Sequence, residues 1–166
     1  MTNAFVYRMP AGIPGDVTRH EAAKIEPQQM DTAYPVTQFG LPVKLVSGKV
    51  RPMAAGDTEQ PYGFLVRPFP SQSGNANSPL GTAVAPDSSQ LCDVLVSGYM
   101  TVKSYLGTPA KNGAVYYLTQ DLTSLLLIGR VEGADDASPT NNIAITNCRY
   151  MGAADADGNV EIAFNV

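Results

Sequence analysis

The only histidine of the 166-residue chain, His20, is the first residue to consider for acid–base catalysis. It lies in an N-terminal segment that is interrupted by Pro10, Pro14, Pro27 and Pro35. Catalytic groups must be held to within about 0.5 Å by a rigid shell, and a segment of this composition supports one poorly. The sequence also lacks the G-x-S-x-G, G-x-G-x-x-G and phosphate-loop motifs. It therefore predicts no catalytic residue and no enzyme, with His20 at the surface or in an interface.

Metal chemistry has equally little support. Neither Cys92 nor Cys148 has a second ligand residue at the two- to four-residue spacing of zinc sites. The acidic run DADG at residues 155–158 resembles the start of a calcium loop, but the glycine and glutamate positions of an EF-hand are not matched. An Asp-Gly pair between apolar runs is typical of a hairpin turn instead. We expect no metal and no cofactor, and both cysteines lie in apolar runs, which favours buried reduced thiols over a disulfide.

Charged side chains are few and dispersed. Eleven Lys and Arg stand against fifteen Asp and Glu, giving a net charge of −4. Binding to a nucleic-acid backbone requires clustered cations, so we expect no direct nucleic-acid partner. Eight tyrosines without any tryptophan indicate core and interface packing, while a carbohydrate-binding or adhesive β-module stays open as an alternative.

Apolar runs in the chain are short. The longest strongly apolar one, residues 125–129, is far below the roughly 20 residues that span a bilayer. The N-terminus has no basic region followed by an apolar core, as a secretory signal has. We therefore expect synthesis in the cytoplasm and no membrane partner.

From residue 39 onward the sequence is typical of short strands separated by turns. Alternation at residues 41–46 resumes at 49–53 after Ser47-Gly48, which is the pattern of a hairpin. Further β-branched and aromatic runs lie at residues 62–69, 91–96, 99–105, 114–119, 125–131, 143–150 and 160–166. Regularly spaced short strands indicate a sandwich or barrel. We predict an all-β fold, with residues 39–166 forming a single β-sandwich or barrel domain.

Residues 1–38 have a different character, because prolines and glycines replace any sustained alternation. This predicts an extended N-terminal arm. Its apolar residues are too many for a solvated tail, so it should dock either on its own β-domain or on a neighbouring subunit. Thr18 and Glu21 have the spacing of a capping box, which allows a short helical turn over residues 18–26.

Five stretches in a fixed order carry a resemblance to a known family. They are PGDVTR at residues 14–19, FGLPVKL at 39–45, GD at 56–57 leading to YGFLVRP at 62–68, DVLVSGYM at 93–100 and DADGNVEIA at 155–163. Each is a strand with a glycine turn, so their order and spacing carry the likeness. Together they resemble the cement, or capsid decoration, proteins of tailed bacteriophages.

The resemblance implies a jelly-roll-like or tulip-like β-domain on the outer surface of an HK97-type capsid. Such a protein is made in the host cytoplasm and becomes part of the virion. It associates with itself as a homodimer or homotrimer, bridges neighbouring major capsid subunits and stabilises the DNA-filled head. No catalysis and no cofactor are implied.

The apolar and basic side chains of the arm are the expected contacts with the shell or with a neighbouring copy. They are Phe5, Tyr7, Arg8, Met9, Ile13 and Arg19. The polar loop at residues 70–89 is expected to carry further contacts, because loops of about 20 residues in a compact domain are usually functional or mobile.

Overall fold

The structure is a computed structural model that describes residues 12–67, 91–120, 126–135 and 141–166. This part of the chain consists of nine strands and one 3₁₀ turn, His20–Ala22, without an α-helix. The strands are β1 (Lys24–Met30), β2 (Pro42–Val46), β3 (Lys49–Pro52), β4 (Gly63–Leu65), β5 (Leu91–Lys103), β6 (Ala114–Leu118), β7 (Val131–Glu132), β8 (Asn142–Tyr150) and β9 (Asn159–Phe164). The prediction of an all-β fold is confirmed. In the same residues no helix has the length and apolarity needed to cross a membrane.

The nine strands form one sheet that closes on itself twice. Their order is β1-β3-β2-β4-β5-β9-β8-β6-β7, and β1 also pairs with β5, which closes the first five strands into a ring. A parallel bridge between Ser104 and Val131 joins the end of β5 to β7 and closes the second ring. The first half of β5 pairs with β1 and β4 and its second half with β9, so β5 belongs to both rings.

Two hydrophobic cores lie on opposite faces of the β4–β5 pair. Successive residues of a strand point to opposite faces, so Phe64 and Leu95 face one core while Leu65 and Val94 face the other. The two strands approach closely at Gly63, where a Cβ atom would lie 2.4 Å from the carbonyl oxygen of Leu95. The β4–β5 pair is therefore a wall shared by both cores.

Strand β1 lies inside the segment that we expected to be an extended arm. It pairs antiparallel with β5, with Pro27 opposite Asp93. The carbonyl oxygen of Asp93 accepts a hydrogen bond from the N–H of Val66, on the β4 side. The nitrogen of Pro27 consequently faces the outer edge of β1, where a strand tolerates proline. Pro27 therefore makes β1 difficult to predict from the sequence, although the strand forms.

The helical turn expected over residues 18–26 is largely wrong. Only His20–Ala22 form a 3₁₀ turn, and β1 begins two residues later. The Thr18 hydroxyl donates to the carboxylate of Glu161, 2.6 Å away, instead of capping a helix. A long-range contact therefore replaces the local capping box.

The remaining predicted strands are found with shifted ends, except in the regions around Gly98 and Gly129. The Ser47-Gly48 hairpin forms, with φ of 51° and 76° at these two residues. Ser97-Gly98 is not a turn between two strands, because β5 runs through it. Gly98 has φ of 135°, and a Cβ atom there would lie 3.0 Å from the Cα of Ala23. The glycine lets β5 pass from one ring to the other. Of the strand predicted at 125–131 only β7 forms among the described residues.

The Asp-Gly turn before β9 is confirmed. Asp155 accepts backbone hydrogen bonds at its Oδ1 atom from the N–H groups of Asp157 (3.0 Å) and Asn159 (2.8 Å). Gly158 has φ of 85°, which glycine adopts without strain. The Asp155 carboxylate therefore stabilises the turn.

Both cysteines are free thiols. Buried thiol and phenol groups make the stability of the fold sensitive to high pH. Burial raises the pKa of Cys92 from 9.0 to about 11 and that of Tyr117 from 10.0 to about 12. Between the unfolded and the folded pKa of each group, the unfolded chain loses a proton that the folded chain keeps. The stabilising contribution of these groups is therefore fully present below about pH 9 and is lost as the pH rises.

We expect the free energy of unfolding in urea to fall by at least about 2 kcal/mol between pH 8.5 and pH 11, since each such group contributes about 1.4 kcal/mol per pH unit between its unfolded and folded pKa. Burial raises the pKa of Cys148 and Tyr150 in the same direction. Cys92→Ala should lose less over the same range. An unfolding free energy that stays constant up to pH 11 would contradict the prediction.

Candidate interaction surface

Residues 12–19 lie along the outer edge of the second half of β5. Three backbone hydrogen bonds of 2.8 to 3.1 Å hold them there: Gly15 N–H to Thr101 O, Thr101 N–H to Asp16 O, and Thr18 N–H to Tyr99 O. Val17 forms an antiparallel bridge with Met100 between these bonds. The described end of the predicted arm is thus attached to this chain's own sheet, as an edge strand would be.

A charged clamp fixes the end of this segment. The Arg19 guanidinium donates from Nε to Oε1 (3.1 Å) and from Nη2 to Oε2 (3.0 Å) of Glu161 on β9. It also lies 4.0 Å from the centre of the Tyr99 ring. The hydrogen bonds with Glu161 raise the pKa of Arg19 above its usual value. Two parallel hydrogen bonds and a cation–π contact hold the guanidinium in one orientation.

Replacing Glu161 with Gln should loosen this segment without unfolding the protein. The Arg19 side chain is 48% exposed, so we expect a local loss of at most about 1 kcal/mol. Amide hydrogen exchange at Thr18 and Thr101 should accelerate by up to about fivefold. Glu59→Gln, which removes an ion pair with Lys44 elsewhere, is the control. Equal exchange rates in both variants and wild type would contradict the clamp.

The six predicted contact residues fall into two groups. Phe5, Tyr7, Arg8 and Met9 lie outside the described residues, as does the loop at 70–89. Ile13 is partly buried, and its carbonyl oxygen accepts a hydrogen bond from the N–H of Asp16 (3.1 Å). Arg19 belongs to the clamp. The structure therefore brings Ile13 and Arg19 to one edge of β5.

Two open grooves flank the exposed turn His20–Ala22. The larger, of about 610 Å³, is lined by Arg19, His20, Glu21, Ala22 and Tyr99. The second, of about 460 Å³, is lined by Asp16, Val17, His20, Ile25, Val66, Arg67 and Asp93; we call it the Asp16–Asp93 groove. Among the described residues no group of His, Cys, Asp or Glu could hold a metal ion.

Sequence reasoning missed the Asp16–Asp93 groove. It joins the arm to β1, β5 and the end of β4, and β1 was not predicted. Val66, directly after β4, lies beside Asp93 of β5, and its N–H donates to Asp93 O at 2.8 Å. The alternation of polar and apolar residues at 91–96 was the available signal that Asp93 faces away from the core of the first ring.

Exposed tyrosine rings are already in contact with cations. Arg51 lies 4.3 Å from the ring centre of Tyr34 and Lys103 lies 5.3 Å from that of Tyr105. Each cation takes a ring face that a bound sugar would stack on. In Tyr34 and Tyr105 one ring face is therefore already occupied.

Comparison with known proteins identifies the family. A family model described as structural cement protein (E217 gp24/Pam3 gp6) matches residues 1–165. The search of curated protein sequences finds no match. A chain from the capsid of Myoviridae phage XM1 has a similar structure, with a TM-score of 0.67 and 19% identity over 99% of this chain and 98% of that chain. At this identity the likeness shows the fold alone.

The two results agree with the architecture described above. The family is structural, so the prediction that the protein is not an enzyme is confirmed. The matched range covers almost the whole chain and supports a structural role in the virion. This chain belongs to the family of phage structural cement proteins.

Proposed function

We propose that this protein binds the outer surface of the phage capsid, bridges neighbouring major capsid subunits and stabilises the DNA-filled head. The observation that carries the proposal is the match of residues 1–165 to the structural cement family. The chain associates with itself as a homodimer or homotrimer, the states that suit the two-fold and three-fold positions of a shell.

Stabilisation follows from linkage. A ligand that binds only the assembled, expanded shell lowers the free energy of that state. A weak contact repeated across a lattice acts at high effective concentration, so each copy needs only modest affinity. The two closed rings of the sheet suit such a role, because closure leaves few free strand edges through which copies could aggregate.

The contacts with the shell or with a neighbouring copy are made by Phe5, Tyr7, Arg8 and Met9, together with Ile13 and Arg19. The hydrogen bond from Gly15 N–H to Thr101 O supports this assignment, because it attaches the described end of the arm to the edge of β5. The apolar side chains of the contact residues provide burial, which contributes about 25 cal/mol for each Å² removed from water.

The direct test adds purified protein to expanded, undecorated capsids. We expect co-sedimentation, and cryo-electron microscopy should reveal added density outside the shell at junctions between subunits. Replacing Phe5, Tyr7 and Met9 with Ser should weaken binding at least tenfold while the melting temperature of the free protein stays the same. Absence of binding, or density inside the shell, would refute the proposal. Binding to a glycan array in place of the capsid would favour a carbohydrate-binding module.

A further inference from the structure

The Asp16–Asp93 groove is lined by apolar side chains and by two carboxylates, with Arg67 and His20 beside them. Ile25, Asp93 and Val66 lie on one face of the first ring, because Ile25 is paired with Leu95 and Asp93 is two residues away from Leu95 along β5. The Ile25 side chain is 38% exposed, although it is large and apolar. A single exposed apolar side chain is common on protein surfaces, so the case for a binding site depends on the two carboxylates that line the same groove.

The two carboxylates of the groove have few partners of their own. Burial raises the pKa of Asp16, opposed by a hydrogen bond from the backbone of Ile13 and by the charge of Arg67. No salt bridge within 4.0 Å joins Asp16 or Asp93 to any residue of the described ranges. Arg67 also lines the groove, with its Nε donating to Pro14 O at 3.1 Å and its guanidinium 4.9 Å from the centre of the Phe39 ring. A partly buried carboxylate gains most from an added cation.

A second copy of this chain fits the groove poorly. The convex element beside it is the turn His20–Ala22, which carries the exposed Glu21. An isologous contact that inserted this turn into the groove of another copy would bring Glu21 close to Asp16 and Asp93. Like charges in contact are unfavourable, so this isologous arrangement is disfavoured, and we assign the groove to a different protein.

Strand addition does not fit the neighbouring edge either. Pro27 removes the backbone donor from the outward-facing side of β1 at its centre. An extended partner would therefore be recognised by its side chains. The apolar side chains of the groove suit the aliphatic stem of Lys or Arg, whose charged end then reaches the two carboxylates.

We propose that the Asp16–Asp93 groove binds a Lys or Arg side chain of the major capsid subunit, with its stem on Ile25 and Val66 and its charge at the two carboxylates. This inference rests on the proposed capsid-binding function. It adds a cationic contact to the apolar contacts of the arm, and it requires an exposed Lys or Arg side chain on the shell surface.

The test measures affinity for expanded, undecorated capsids by co-sedimentation at about 0.1 M salt. Asp93→Lys should bind at least tenfold more weakly than wild type, and Asp16→Asn should bind about three- to tenfold more weakly. The matched control is Asp157→Lys, which makes the same charge change in an exposed turn and should bind within about twofold of wild type. Melting temperatures of the free variants establish that each is folded.

The outcomes distinguish a failure of the proposed capsid-binding function from a failure of the groove assignment. Failure of wild-type protein to bind would refute the proposed function, and the groove assignment with it. Wild-type binding that Asp93→Lys leaves unchanged would overturn the groove assignment alone. An equal loss in Asp93→Lys and Asp157→Lys would indicate general charge repulsion and would also overturn it. A change in the oligomeric state of free Asp93→Lys would identify a second copy as the occupant.

Discussion

Replacing Phe64 with Ala is expected to cost about 3 to 5 kcal/mol of unfolding free energy. Phe64 is fully buried in the wall between the two cores, and its ring meets that of Phe164 edge to face, with centres 5.2 Å apart. The cavity left by the ring could collapse only if β4 moved, and β4 is held closely against β5 at Gly63. For a chain of this length the melting temperature should fall by about 6 to 20 °C.

Leu91 provides the control for this variant. It lies on β5, the strand that forms the wall with β4, but its side chain is 68% exposed. Leu91→Ala should change the unfolding free energy by about 0.5 kcal/mol or less. Urea denaturation measures both variants. A loss below about 1.5 kcal/mol for Phe64→Ala would contradict the assignment of β4 and β5 as a wall shared by two cores.

Replacing Arg130 with Met should be about equally damaging, for a different reason. Glu132 is fully buried on β7 and is paired with Arg130, whose Nε donates to Oε1 at 2.8 Å. Asn142 donates to the other carboxylate oxygen at 3.0 Å. Removing the guanidinium leaves an uncompensated charge in the interior, which typically costs about 3 to 5 kcal/mol.

A second substitution should recover much of this loss. In Arg130→Met/Glu132→Gln the buried charge is gone, while the Gln oxygen can still accept the hydrogen bond from Asn142. We expect the double variant to be more stable than Arg130→Met by about 2 kcal/mol or more. A double variant that is as unstable as the single one would mean that Arg130 acts through packing and not through its charge.

The sequence allowed prediction of those elements whose geometry is decided locally. The β2–β3 hairpin depends on Ser47-Gly48, which adopt positive φ angles wherever the flanking strands pair. The turn before β9 depends on an Asp155 carboxylate and a glycine three residues away. Local patterns carry such features because all participating residues lie within a few positions of one another.

Features decided by distant pairing could not be predicted in the same way. Pro27 argues against a strand unless its nitrogen is known to face an outer edge, and that depends on the register with Asp93. Ser97-Gly98 has the composition of a turn, yet Gly98 serves the passage of β5 between two rings. The double closure of the sheet leaves no periodic signal in the sequence.

The local structure of the candidate contact residues could be predicted only in part. The composition of the arm made Ile13 and Arg19 expected contacts, which they remain, but it gave no sign that Arg19 is engaged by Glu161, which lies 142 positions away. The groove was hidden for a similar reason, since its walls come from the arm, β1 and β5. Family resemblance supplied the partner, which no residue pattern of this chain could name.

The rupture temperature of DNA-filled heads tests the cement role most directly. DNA under pressure pushes the shell subunits apart, and a protein that bridges them should raise the temperature at which the heads release their DNA. Light scattering with a DNA-binding dye follows that release for heads with and without the bound protein. The account predicts a higher rupture temperature for decorated DNA-filled heads than for bare ones. Equal rupture temperatures for fully decorated and bare DNA-filled heads would contradict it.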